Sequence, residues 1–423
     1  MRRMATFGLM GVAGLLLGAG PLAAQTPEQV AQSALRAAPV FDGHNDTPIQ
    51  LRARYRNVIA GFDFTDTRDT ADPAAPQGRA MHTDLARLRQ GHVGAQFWSV
   101  FVSTDLPEPQ AVQATLEQID VTKRLIARYP RDLQLALGAR DVEQAMRQGR
   151  IASLMGMEGG HSIGSSLGVL RQMHALGVRY MTLTHAKNTP WADSATDAPK
   201  HGGLTDFGRT VVREMNRLGM LVDLSHVSEQ TMLDTLEVAR VPVIFSHSGA
   251  RAVNGHARNV PDGVLEKLRD NGGIVMVVAL PAYVSEAARQ WQAARAGEEA
   301  RLKSLWQGQP DAVMAGLATW DKAHPQPATT ISDMADHIDH IRTVAGIDHI
   351  GIGGDYDGML SGPVGMEDVA GYPALFTELA RRGYTRADLE KIASRNILRI
   401  MRAAERYAAA HRGNPPYETP VPD

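Results

Sequence analysis

The fold class predicted for this 423-residue chain is α/β, and within it a (β/α)8 TIM barrel with helical insertions. Three observations predict it. Short apolar runs recur, segments of helical periodicity separate them, and the runs show little polar alternation, as parallel strands buried on both faces do. In chain order the runs are VFDGHND (40–46), AQFWSVFV (95–102), IASLMGMEGG (151–160) and VRYMTLTH (178–185). MLVDLSH (220–226), VPVIFSH (241–247), GIVMVVAL (273–280) and HIGIGGD (349–355) complete a set of eight. Between the fifth and its predecessor a helix is predicted with Thr205 as N-cap, an apolar face of Phe207, Val211, Met215 and Leu218, and Gly219 just past its end. Ser228 caps a further helix near TMLDTLEVA, which gives one βα repeat between His226 and His247. Residues 52–90 and 284–330 exceed normal loop length. Both are expected to be insertions over the barrel mouth or at a subunit contact, the second helical.

With 43% hydrophobic and 21% charged residues the chain is no disordered protein. The 44 basic and 46 acidic residues leave a net charge of −2, so there is no basic field to draw in nucleic acid. Residues 1–24 carry Arg2 and Arg3, an apolar stretch and the small-residue sequence PLAAQ, the layout of a signal peptide. If left uncut the stretch would serve as a membrane anchor. Cleavage near Ala24 predicts a periplasmic or secreted protein with no membrane span in its mature form: a hydrolase barrel domain over 25–411 and a polar tail over 412–423.

In such a barrel the side chains at the carboxyl ends of the strands converge on one face. The runs place His44, Asp46, Glu158, His185, His226, His247 and Asp355 there, whereas His174, His201, His256, His337 and His340 follow no apolar run. The chain lacks cysteine, so a metal must rest on His, Asp and Glu. His44 and Asp46, two apart on an extended segment, suit one ion, and His226 and His247 on adjacent strands suit a second. The two oxygens of Glu158 can bridge them. Two cations about 3.5–4 Å apart would deprotonate a water and polarise a scissile carbonyl, which implies hydrolysis. Zinc fits these donors, as do manganese, cobalt and iron. Asp355 in GIGGDYDG is the candidate proton carrier and Asp357 the competing choice. Arg258 and Asn259, eleven and twelve residues beyond His247, are candidate substrate-binding residues, the Arg fork suiting a carboxylate.

FDGHNDTP, MGMEGGHS, TLTHAKNTPWADS, GLTDFGRTVVREMNRLGMLVDLSHVS, FSHSGARAVNGHARNVPD and GIGGDYDG, in this order, resemble the membrane (renal) dipeptidase family of metal-dependent amidohydrolases. The resemblance spans roughly residues 40–400. It implies a barrel with two zinc ions, one on His44 and Asp46, the other on His226 and His247, with Glu158 bridging. By the same resemblance His185 is a catalytic residue contacting the peptide carbonyl or the tetrahedral oxygen. Arg258 binds the terminal carboxylate, Asp355 shuttles the proton, and a metal-bridging hydroxide cleaves L-Xaa-L-Xaa or L-Xaa-D-Xaa dipeptides. Some members open β-lactams or dehydropeptides, and a homodimer is compatible with the family. The chain departs from the family pattern at VVALPAYVS, where Tyr283 is the candidate substrate-contacting tyrosine, and over 284–330. Two alternatives stand beside this function: a related amidohydrolase acting on N-acyl-D-amino acids or lactones, and a catalytically inactive periplasmic maturation protein.

Overall fold

The computed structural model describes residues 25–71 and 78–418, together with Met1 and Met4. The rest of the expected leader and residues 419–423 lie outside the described residues. Among these, nine strands form, all paired in parallel: β1 Val40–Asn45, β2 Val93–Ser99, β3 Leu133–Leu135, β4 Ile151–Glu158, β5 Val178–Thr182, β6 Leu221–Asp223, β7 Ile244–Ser248, β8 Ile274–Val277 and β9 Ile350–Ile352. Eight of them close a barrel in the order β1, β2, β4, β5, β6, β7, β8, β9, with β9 returning to β1. β3 is the exception. It pairs with the first residues of β4, Leu133 opposite Ile151 and Leu135 opposite Ser153, on the side that β5 takes over from Met155 onward. The eight runs read from the sequence are the barrel strands. The ninth was missed because three residues centred on Gln134 make no apolar run.

Alternate strand residues fall into two cores. Phe41, Phe97, Leu154, Tyr180, Ile244 and Ile274 form one cluster, and their neighbours Val40, Trp98, Met155, Met181, Phe245 and Val275 belong to another. This period of two is that of strands facing a barrel interior and a helical shell. The helix Asp206–Leu218 forms as its caps dictate: Thr205 Oγ1 accepts from the Gly208 N–H and Gly219 ends it in a left-handed conformation, φ 75°. Ser228 caps helix Glu229–Val238 in the same way.

The 284–330 insertion is a pair of helices, Glu286–Leu305 and Pro310–Ala323, tied together by Arg295 and Asp321 at 2.8 and 2.9 Å. With residues 280–283 and 358–364 it lines an open cavity of about 960 Å³. The 52–90 segment docks on the barrel through Arg79, whose Nε donates to the Met359 carbonyl, and through His82, whose N–H donates to Asp357. Among the described residues no helix is long and apolar enough to cross a membrane.

Candidate metal centre

The strand ends deliver their side chains to one place. His44 lies in β1 and Glu158 ends β4, whereas His185, His226 and Asp355 each sit three residues beyond β5, β6 and β9. β1 stops at Asn45, so Asp46 reaches His44 not along an extended strand, as expected, but from the N-cap position of helix Thr47–Tyr55. Asp46 makes no capping hydrogen bond there. Its carboxylate turns instead to the site, Oδ2 3.5 Å from His44 Nε2. His226 and Asp355 hold left-handed backbone, φ 71° and 62°, which costs a non-glycine residue roughly 1–3 kcal/mol and persists where the surroundings enforce it.

Glu158 is the hinge of the cluster. Its Oε2 lies 3.4 Å from His44 Nε2 and accepts from Ser99 Oγ at 3.0 Å. Its Oε1 lies 3.0 Å from His226 Nε2, 3.4 Å from His247 Nε2 and 3.7 Å from His185 Nε2. The two histidine nitrogens of His226 and His247 stand 3.1 Å apart. Oε2 thus faces His44 and Oε1 the remaining imidazoles, of which His247 also stands beside His44, ring centres 3.9 Å apart. Asp355 Oδ1 joins the first group, 4.0 Å from His44 Nε2. His185 is the most exposed of the four imidazoles, 22% of its side chain against 10% for His226 and 2% for His247, and so stands at the rim.

This donor set fits divalent metal. Ligands held tetrahedrally about 2.0–2.1 Å from zinc lie about 3.3 Å from one another, and the separations within each group cluster around that value. His44 Nε2 and Asp46 Oδ1 are buried with no hydrogen-bond partner. The space beside them is kept open by Gly358, where an added Cβ would lie 2.2 Å from Asp46 Oδ2 and 2.7 Å from Asp355 Oδ1. Burial, with the charge of Arg258 nearby, pushes His226 and His247 well below the usual imidazole range, so both offer neutral lone pairs. Burial opposes ionisation of Glu158, but the flanking His44 and His185 hold its carboxyl well below the usual range. Asp355 goes the other way: burial and the neighbouring Asp46 carboxylate push it well above.

A second layer orients these groups. Tyr180 Oη lies 2.8 Å from His44 Nδ1 and donates to the Gly43 carbonyl at 3.3 Å, so His44 Nδ1–H donates to Tyr180 and Nε2 faces the site. The Tyr180 ring fits because β4 has Gly156 opposite it, where a Cβ would lie 2.0 Å from the ring. His247 Nδ1 meets Ser246 Oγ at 2.9 Å, and that hydroxyl donates to Asp223. Asp42 accepts from the His44 and Gly354 N–H groups and the Tyr372 hydroxyl, joining β1 to the Asp355 loop. Sequence reasoning missed Tyr180, Asp42 and Asp223. An aspartate ahead of each histidine, in FDGH and DLSH, was the available signal for the last two.

Arg258 is 1% exposed and has no ion pair with a carboxylate among the described residues. Its Nη atoms reach only Ser248 Oγ and the His247 carbonyl at 3.4 Å, and its Nε has no partner. Tyr283 stacks beside it, the guanidinium 5.2 Å from the ring centre. Asn259, expected to bind substrate, is instead engaged in holding this loop: Oδ1 accepts from Gly249 N–H, and Nδ2 donates to the Asn254 and Tyr283 carbonyls. It is fully buried and its donors are taken. Asp357 is likewise structural, accepting from His82 N–H at 2.7 Å and Thr47 Oγ1 at 2.8 Å, which separates it from Asp355.

Similarity to known proteins agrees with this geometry. The family model for membrane dipeptidase (peptidase family M19) matches residues 28–414. Dipeptidase 3 of Macaca fascicularis is 41% identical over 397 residues, 93% of this chain and 70% of its own length. The probable dipeptidase PvdM from Pseudomonas aeruginosa superposes with a TM-score of 0.75 at 23% identity, covering 90% of this chain and 99% of that one. A metallopeptidase from Rhodobacter sphaeroides, solved with a phosphinate mimic of L-Ala-D-Ala, gives 0.68 at 23% identity over 87% and 99%. The chain therefore belongs to the membrane dipeptidase family, peptidase family M19, and is a peptide-bond hydrolase of the metallo-dipeptidase type.

Proposed function

We propose that the enzyme hydrolyses dipeptides of L,L or L,D configuration with two divalent ions, zinc by donor chemistry, held by His44 and Asp46 on one side of Glu158 and by His226 and His247 on the other. The reach of the two Glu158 oxygens, Oε2 to His44 and Oε1 to His226 and His247, carries this proposal. When bound, the ions supply a nucleophilic hydroxide at neutral pH and a Lewis acid for the carbonyl.

The chain's own residues do the rest. Arg258, buried and without a carboxylate of its own, pairs with the free carboxylate of the substrate. His185, at the rim and 3.7 Å from Glu158, hydrogen-bonds the oxygen of the scissile carbonyl in this reading. Asp355 takes the proton released at the nucleophile and returns it to the departing amine. Its carboxyl is raised while that of Glu158 is lowered, the separation of acid from permanent carboxylate that such a role needs. The leader pattern of residues 1–24 supports processing to a periplasmic or secreted protein.

The test is metal analysis of the purified protein joined to a hydrolysis panel of L,L and L,D dipeptides and their C-terminal amides. Metal-dependent cleavage of the free dipeptides, with the amides poor, is expected. Equal cleavage of amides, lactones or N-acyl-D-amino acids assigns a different amidohydrolase activity, and absence of all cleavage by metal-replete protein removes the enzymatic function.

A further inference from the structure

The cavity of about 960 Å³ beneath the helical pair lies at the upper end of the range that holds drug-sized ligands, about 300–1,000 Å³. Two small residues need far less. Two of its lining residues adjoin the metal centre: Gly358, beside Asp46 and Asp355, and Tyr283, beside Arg258. One wall is Trp291, and Met359 and Leu360 stand among the lining residues. Trp291 is held in place on three sides. Its Nε1 donates to the His324 carbonyl at 2.6 Å, Trp320 lies 5.9 Å away ring to ring, and the Arg295 guanidinium sits 6.0 Å over its face. Arg295 pairs bidentately with Asp321, so the two charged groups on this wall answer each other. Helix Glu286–Leu305 buries only Ala288 and Leu302, and Trp291, which ties it to the second helix, stays partly exposed on the cavity side. Leu360, 66% exposed, adds an uncovered apolar side chain.

Granted the dipeptidase function above, we propose that this cavity is the enzyme's side-chain pocket and that Trp291 makes it select dipeptides carrying one large aromatic or apolar side chain. A rigid aromatic wall loses little freedom when a ring packs on it, so the contact adds to transition-state binding for such substrates and nothing for alanine.

The test compares kcat/KM of the zinc-loaded full chain for Phe-Ala and Ala-Phe with that for Ala-Ala. It uses wild type, Trp291→Ala, and Ala296→Trp, which fills the cavity from the same helix without removing packing. Calorimetry with phosphinate mimics of Phe-Ala and Ala-Ala runs alongside. For wild type, the better of the two aromatic substrates is expected to exceed Ala-Ala by about tenfold or more, and both variants are expected to erase that preference. Preference ratios within twofold of wild type in both variants overturn the pocket. Binding of the Phe-Ala mimic that depends on Trp291, without hydrolysis of any dipeptide, sustains the pocket and overturns the dipeptidase function instead.

Discussion

Replacing Arg258 by Met removes a buried guanidinium held by two long hydrogen bonds at 3.4 Å and by the Tyr283 ring, 5.2 Å away. In the free protein little is lost, because no carboxylate is left behind. In the complex the substrate carboxylate would enter a site with no water to screen it and no partner. Truncating one member of a buried, hydrogen-bonded charge pair costs about 2–5 kcal/mol. At 1% exposure the upper part of that range applies, about 3–5 kcal/mol, or roughly 150- to 5,000-fold in kcat/KM at 1.36 kcal/mol per decade. The assay is a two-by-two cycle: wild type and Arg258→Met, each on a dipeptide and on its C-terminal amide. Wild type should lose most of that factor on going to the amide, whereas the variant should treat the two substrates nearly alike. Thermal midpoint should stay level or rise, since an unpaired buried cation is relieved. Equal losses on dipeptide and amide, with no coupling between substitution and substrate, refute the carboxylate assignment.

Other outcomes follow from the same geometry. Asp355→Asn should lower turnover by about 10²- to 10⁴-fold while metal content stays near wild type, because in the proposed mechanism the residue carries protons and it lies at the edge of the donor set; near-normal turnover contradicts this. Gly358→Ala drives a methyl within 2.2 Å of Asp46 Oδ2, so metal affinity and activity should fall together, read by metal analysis after dialysis. Acid stability should depend on His82. Burial pushes its pKa down from 6.5 to about 4, and its Nδ1 accepts the Asp357 N–H at 3.2 Å. The folded-state value lies below the unfolded one, so the stabilisation is complete above about pH 6.5 and is lost as pH falls towards about 4, up to roughly 3 kcal/mol. His82→Asn keeps an acceptor at the Nδ1 position without titrating. It should flatten this part of the stability profile, measured by denaturation between those pH values.

Much of the barrel was legible because parallel strands covered on both faces lose their polar alternation and stand out as apolar runs. Chemistry-bearing residues at the ends of those runs converge for the same topological reason. What escaped depends on pairing between distant segments. The support of His44 by Tyr180 requires the register that sets Tyr180 opposite Gly156, which neither strand announces alone. Strand ends were read too long after β5, β6 and β9, since apolar Leu183 and Leu224 and the glycines before Asp355 continue the pattern while the backbone turns away to aim His185, His226 and Asp355. Asn259 beside Arg258 was a candidate for substrate by position, and only the path of the buried loop shows its amide facing backbone. Asp355 and Asp357 share left-handed backbone and differ in direction, one toward His44 and the other toward His82 and Thr47.

The most direct measurement of the central claim is zinc titration of the metal-free protein, with bound metal counted per chain, in wild type and Glu158→Gln. Two ions per wild-type chain are expected, with both weakened together in the variant because one carboxylate serves both donor groups. A single ion in wild type, or two ions held undiminished by Glu158→Gln, would contradict it.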